Sequence, residues 1–231
     1  MDKSVIPLVY AVEGCDGVGK THFIQSMTQT LSDQGLNVKT LSTPSKELPA
    51  GEYVRSILRN KYLYRQTTLE ELKKAFVASI QEVAKQILAS YQEGVYNLFF
   101  LDRWWLSYLA YQFPLENLSP QQIEGIIQEA LIDIFLPLGI SIHTPHPFEK
   151  QLIFPKVFHF DCDLNPETLQ KFCQKRLEMC QKEGSGDVHD VDNDFQVRVL
   201  KNYKRLFSVL TQSPYHLDYE KKPIPILTLG G

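Results

Sequence analysis

The chain has 231 residues, 24 Lys plus Arg against 27 Asp plus Glu, and a formal net charge of -3. Its 43% hydrophobic and 22% charged residues suit an ordinary globule long enough to bury a core without disulfide or metal staples. Weak acidity excludes a bulk binder of nucleic acid or of an anionic membrane surface, which would present a net basic face, and leaves room for a local basic site.

Val5 to Val12 is apolar and β-branched and runs into a glycine-rich turn, which predicts a buried strand. Phe23, Ile24, Met27 and Leu31 then recur at helical spacing over Lys20–Leu31, and Gly35 and Asn37 end that helix. Val38 to Leu41 reads as a second strand. Strand, helix and strand at this spacing form a βαβ unit, hence a parallel sheet. A short helix around Tyr53–Leu58 and a long one over Leu69–Tyr91 follow. Val95–Leu101 is apolar nearly throughout, as a central strand covered on both faces requires. Helices are predicted over Trp104–Gln112 and from Pro120, a good first-turn residue after Ser119, to Leu136.

Segment 137–155 holds four prolines and reads as a loop insertion. Val157–Cys162 is a fourth strand, and Asn165-Pro166-Glu167 opens a helix to about Lys182. A polar loop over Glu183–Asp190, a helix over Asp194–Leu210 and a last strand over Ile224–Leu229 complete the chain. The order predicts one α/β domain over 1–231 with a doubly wound parallel sheet flanked by helices.

Cys15, Cys162, Cys173 and Cys180 form no Cys-x-x-Cys pair, and Cys173 and Cys180 share a helix face as small buried side chains. The first apolar stretch is cut by Pro7 and Glu13, too short for a signal peptide, and no apolar run reaches membrane-spanning length. The expectation is a reduced, cytoplasmic chain with no membrane or nucleic-acid partner.

Gly14-Cys15-Asp16-Gly17-Val18-Gly19-Lys20-Thr21 fits G-x-x-x-x-G-K-[ST] between the first strand and the first helix. Gly14, Gly17 and Gly19, with Val18, turn backbone N–H groups toward phosphate oxygens, and the helix start adds partial positive charge. Lys20 supplies a point charge to the β- and γ-phosphates, and the Thr21 hydroxyl can ligate Mg²⁺. Asp102 closes the apolar run of the third strand, at the sheet edge where ligands bind in open α/β folds. It is placed to hold Mg²⁺, and Arg103 to grip a phosphate bidentately. A helix-capping Asp with an exposed Arg is the plainer alternative; the phosphate loop favours function.

These segments together resemble the thymidylate kinase branch of the nucleoside-monophosphate kinases. EGCDGVGKT resembles its phosphate loop, DRWWLSYLAYQ its Asp-Arg-aromatic segment, FHFDCDLNPETLQKFCQKR its later strand and helix, and DVDNDFQVRVLKNYKRL the helix after its lid. The resemblance implies a P-loop NTPase fold and phosphate transfer from MgATP to a deoxynucleoside monophosphate, dTMP first, by a homodimer. It implies that Asp16 meets the acceptor's 3′-hydroxyl, that Arg103 and Ser107 belong to the acceptor site, that Phe76 stacks on the base, and that Tyr111 gates against a 2′-hydroxyl. Lys20, Arg103 and Asp102 form the implied catalytic set, Thr21 and Asp102 the metal set. Arg176 and a lid at about 183–191 would close over ATP.

The sequence also departs from that pattern. Ile80 stands where the family usually has a base-reading Arg, and Ser42-Thr43 where an Arg precedes Pro44. Two other readings stay open: a deoxynucleoside kinase using Glu47 as base, and a nucleotide-binding homologue without turnover. His143, His146 and His159 lack a carboxylate at ligand spacing and do not read as a metal site. Of Trp104 and Trp105, one is expected in the core and the other in the acceptor cleft.

Overall fold

The computed structural model describes residues 6–161, 174, 178, 192–212 and 226–230. Strand β1 covers Leu8–Gly14, β2 Val38–Ser42, β3 Leu98–Asp102, β4 Lys156–Asp161 and β5 Ile226–Gly230. All neighbours are parallel, in the order β2-β3-β1-β4-β5. The α/β, doubly wound class expected from the strand-helix alternation is the class observed.

The central strands are apolar up to their carboxyl ends because helices cover both faces. Val9, Ala11, Phe99 and Leu101 enter the larger core, while Val12, Leu98 and Phe100 enter a second one beneath helix α1, Lys20–Asp33. The alternation places Glu13 on the same face as Val9 and Ala11. Helix α2 (Pro49–Arg59) and the short α3 (Lys61–Gln66) lead into α4 (Leu69–Glu93). A Thr68–Glu71 capping box starts α4, and Gly94, left-handed at φ 68°, ends it. Helix α5 spans Trp105–Gln112 and α6 Pro120–Phe135. Among the described residues no helix is long and apolar enough to cross a membrane.

Segment 137–155 departs from its reading as a loop. It carries helix α7, Pro147–Ile153, with Phe148, Leu152 and Ile153 buried. Pro147 is tolerated because it stands in the first turn, where its missing N–H is no loss. His146 caps the helix: its Nδ1 accepts from the Phe148 N–H at 3.3 Å, and Glu149 reaches back to the His146 N–H at 2.9 Å. The Phe148 ring stacks on Tyr91 at 4.0 Å. Both tryptophans are buried in the core; Trp104 Nε1 donates to the Leu152 carbonyl at 2.9 Å and Trp105 Nε1 to that of Ile153 at 2.7 Å. An indole buried whole needs a partner for its N–H, and the end of α7 provides one for each.

Helix α8, Asn193–Leu210, lies against α5, where Asn202 Nδ2 donates to the carbonyls of Ala110 and Phe113, each at 2.8 Å. The helix expected over 165–182 falls outside the described residues except at Gln174 and Glu178, both helical. The loop over Glu183–Asp190, Cys162, Cys173 and Cys180 lie outside them.

If α7 is part of the core, Phe148→Ala will cost about 3–5 kcal/mol in urea unfolding. A loss below about 1 kcal/mol would show that α7 rests loosely on the surface.

Candidate active site

The chain leaves β1 toward β2 but leaves β3 toward β4, in opposite directions across the sheet. The two strands are neighbours, with Val12 beside Asp102. Their carboxyl ends therefore flank a topological switch point, where an open α/β sheet leaves a crevice for ligands. The glycine-rich loop follows β1 there, and Asp102-Arg103 ends β3.

Gly14, Gly17 and Gly19 have φ of 141°, 82° and 94°. Gly14 is needed twice over, since a Cβ there would also lie 2.6 Å from the Phe160 carbonyl oxygen on β4. Cys15 and Val18 pack against Leu200 and Val197 of α8, anchoring the loop from outside the sheet. Buried Lys20 turns its Nζ onto the Cys15 carbonyl at 2.5 Å. Burial, then repulsion from Arg103, brings its ammonium down to about 8, with Asp16 and Asp102 opposing. Thr21 Oγ1 meets Asp102 Oδ2 at 3.3 Å. The loop side of the crevice thus gathers open-backed glycines, the Lys20 ammonium and the Thr21 and Asp102 oxygens, a donor set that fits a polyphosphate with Mg²⁺.

Arg103 has the left-handed φ of 69°, unusual for a side chain of its size. Its backbone N–H is fixed on the Val12 carbonyl at 3.1 Å. Nη1 donates to the Gly14 carbonyl at 3.0 Å and to Ser107 Oγ at 3.3 Å. Nη2 donates to Asp16 Oδ1 at 2.5 Å and to Tyr111 Oη at 3.1 Å, and Tyr111 in turn donates to Asp16 Oδ2 at 2.9 Å. Burial disfavours the guanidinium charge, but Asp16 restores it and holds the group well above the ordinary arginine range.

Beneath Arg103 lies Glu13, fully buried. It accepts from the Trp104 N–H at 2.9 Å and from Ser107 Oγ, and its Oε2 is also within hydrogen-bond distance of Tyr203 Oη, at 3.0 Å. Burial pushes its carboxyl up to about 7 against the pull of these partners and of Arg103.

The thymidylate kinase family profile matches residues 12–136, a span that begins inside β1 and includes the loop, Asp102, Arg103 and Tyr111. The chain belongs to the thymidylate kinase family. It is 27% identical over 195 residues to a thymidylate kinase of Thermoanaerobacter pseudethanolicus, covering 84% of each chain. It is 31% identical over 121 residues to a thymidylate kinase of Leptospira interrogans, covering 52% of this chain and 56% of that one. A thymidylate kinase of Bacillus velezensis is 29% identical over 126 residues, 54% of this chain and 58% of that one. The chain is accordingly a nucleotide kinase, a transferase.

Within this family member the structure gathers Asp16, Lys20, Thr21, Asp102, Arg103, Ser107 and Tyr111 at one sheet edge. Phe76 and Ile80 are buried on α4, at 7% and 0% exposure, with the Phe76 ring 6.0 Å from that of Tyr108. Ser107 is buried and spends its hydroxyl on Glu13, Tyr203 and Arg103. Arg176 and the 183–191 segment lie outside the described residues. Glu47 is exposed, its N–H bonded to Ser45 Oγ at 3.1 Å. Among the described residues no group of three or more His, Cys, Asp or Glu could hold a metal by itself.

Two residues escaped the sequence reading. Arg55 on α2 hangs its Nε and Nη2 on the Pro44 carbonyl at 3.0 and 2.7 Å, near enough to Asp102 and Arg103 to feel both charges. The turn it grips is tied to β3 by the Thr43 N–H, which donates to the Asp102 carbonyl at 3.0 Å. Glu13 is the other: it stands in the motif EGCDGVGKT as the acid before the phosphate loop, where the motif gives its carboxyl no role.

A carboxyl raised to about 7 from 4.5 favours the folded state while protonated. That stability is complete below the ordinary value and is lost as pH rises through the folded value. Relative to Glu13→Gln, wild-type stability should therefore fall by about 3 kcal/mol between about pH 4 and about pH 8 in chemical unfolding. Parallel curves would contradict the assignment.

Proposed function

We propose that this kinase transfers the γ-phosphoryl group of ATP to the phosphate of a deoxynucleoside monophosphate, with dTMP, the substrate its relatives' names point to, as acceptor. The observation that carries the reading is the Arg103 guanidinium, held between Asp16 and Tyr111 at the end of β3 beside the glycine loop. An acceptor phosphate that takes the place of Asp16 on Nη2 would receive a charge-assisted bond from a group already in position.

In the transfer, an oxygen of the acceptor phosphate forms a bond to the γ-phosphorus as the bond to the β–γ bridging oxygen breaks and ADP leaves. Both reactants are negative, so positioning and charge compensation dominate. Lys20 leaves the Cys15 carbonyl for the β- and γ-phosphates, and the glycine-loop N–H groups hold the remaining oxygens. Thr21 and Asp102 would hold Mg²⁺, which would supply further compensation of the phosphate charge. Arg55 flanks the acceptor side and contributes the positive charge that Ser42 and Thr43 cannot. Asp16, once released by Arg103, is free to accept from the acceptor's 3′-hydroxyl, and Tyr111 closes the sugar pocket. Phe76 provides the apolar surface for the base, and Ser107 supports the acceptor site through Arg103. Arg176 and a lid at about 183–191 exclude water from ATP. The reading is completed by a single 231-residue kinase domain, a homodimer, in the cytoplasm.

A coupled assay of ADP release over a panel of deoxynucleosides and their monophosphates tests this. Turnover with dTMP is expected. Turnover confined to nucleosides, or ATP binding with no turnover, would overturn the proposal. Lys20→Ala and Arg103→Ala should each lower kcat/KM by about 10³-fold or more, as removal of a phosphate-gripping cation does elsewhere. Full activity in Arg103→Ala would remove Arg103 from the acceptor site.

A further inference from the structure

Glu13, Ser107 and Tyr203 come from β1, α5 and α8. Glu13 and Tyr203 are 190 positions apart in sequence. Glu13 Oε1 is occupied by the Trp104 N–H. Oε2 faces two hydroxyls: Ser107 Oγ is in contact with it, and Tyr203 Oη is 3.0 Å away. Those hydroxyls are themselves 2.7 Å apart. Each of the three oxygens is thus within hydrogen-bond distance of the other two.

Every side of such a triangle needs one hydrogen. Ser107 and Tyr203 bring two. A carboxylate brings none and leaves one pair of oxygens in bare, buried contact, which is costly in a low-dielectric interior. A carboxylic acid at Oε2 brings the third. Ser107 then donates to Glu13, Glu13 to Tyr203, and Tyr203 to Ser107. The remaining lone pair of Ser107 accepts from Arg103 Nη1 at 3.3 Å. In this arrangement every hydrogen has an acceptor and both lone pairs of Ser107 are used.

We propose that Glu13, as the carboxylic acid, with Ser107 and Tyr203 forms a brace that positions the Arg103 guanidinium, and that Tyr203 is the positioning residue through which helix α8 bears on the acceptor site. The groups facing Glu13 fit a neutral acid. Trp104, the N-cap of α5, brings its N–H, α5 the Ser107 hydroxyl, and α8 the Tyr203 hydroxyl. His159 of β4 stands at the paired register position, its ring 5.3 Å from that of Tyr203 and 4.4 Å from that of Phe207. Arg103 is the nearby full charge, and Ser107 stands between it and Glu13. The inference rests on the reading that Arg103 holds the acceptor phosphate.

Tyr203→Phe keeps the ring packing and removes one hydrogen and one acceptor from the brace. It should raise KM for dTMP about fivefold while KM for ATP stays within about twofold, the size of one lost neutral hydrogen bond felt on one substrate only. Glu13→Gln keeps an N–H donor toward Tyr203 where the acid has its O–H but cannot accept from Ser107, and should raise KM for dTMP clearly less than Glu13→Ala does. Glu13→Ala should raise it at least as much as Tyr203→Phe does. An unchanged KM for dTMP in Tyr203→Phe, or Glu13→Gln as impaired as Glu13→Ala, would overturn the brace.

A second readout needs no turnover. With ¹⁵N-labelled arginine, the Arg103 Nη signals, identified by their loss in Arg103→Lys, should be resolved in the ligand-free wild type and averaged by faster rotation in Tyr203→Phe. Ser107→Ala should do the same if Tyr203→Phe fails to fold. Unchanged Arg103 signals would sink the brace. Failure of the wild type to use dTMP would sink the acceptor reading instead and leave this measurement standing.

Discussion

The site depends on keeping one guanidinium charged where little water reaches it. Arg103 follows β3 at the switch point, with a left-handed backbone and a side chain that reaches under the glycine loop. An arginine so placed without partners would cost several kcal/mol. Asp16, Tyr111, Ser107 and the Gly14 carbonyl are those partners, and together they tie three pieces of the fold to the same cation. The end of β1, the phosphate loop and helix α5 are held in one arrangement because they share it.

That arrangement also explains why the cluster is poised for exchange. The Arg103–Asp16 pair keeps 16% and 21% side-chain exposure, so it faces the crevice as well as the core. A phosphate arriving from the solvent side meets a guanidinium already oriented, and little reorganisation remains to be done. Lys20 makes a parallel case: burial weakens its ammonium, the Cys15 carbonyl occupies it, and a polyphosphate offers it a stronger partner. In both cases the protein holds a cation with its own oxygens in the shape a substrate needs. The layer underneath, Glu13 with Ser107 and Tyr203, sets how firmly the shape is held.

What the sequence made legible was what is local. Gly14 through Thr21 is a contiguous motif, and the alternation of Leu98–Leu101 between two cores reads as one apolar run because both faces are covered. Strand ends shifted by a few residues: Val95 is 44% exposed, and the Asn97 side chain accepts from the Asn37 N–H before β3 begins. Features set by distant partners could not be read. Helix α7 hid behind its prolines, and its place is fixed by indoles 48 positions away. Arg55 reaches the site only because α2 folds back onto the Thr43–Pro44 turn. Ser107 drew attention through a resemblance, but its hydroxyl faces a buried acid that no spacing rule connects to Tyr203.

The account turns on whether Arg103 recognises the acceptor's phosphate. Calorimetric titration of dTMP and of thymidine into wild type and Arg103→Ala isolates that interaction, since the two ligands differ only by the phosphate. The wild type should bind dTMP at least about tenfold more tightly than thymidine, the value of one charge-assisted bond, and the gap should close in Arg103→Ala. A gap of the same size in both proteins would place the acceptor phosphate elsewhere and leave Arg103 a structural ion pair.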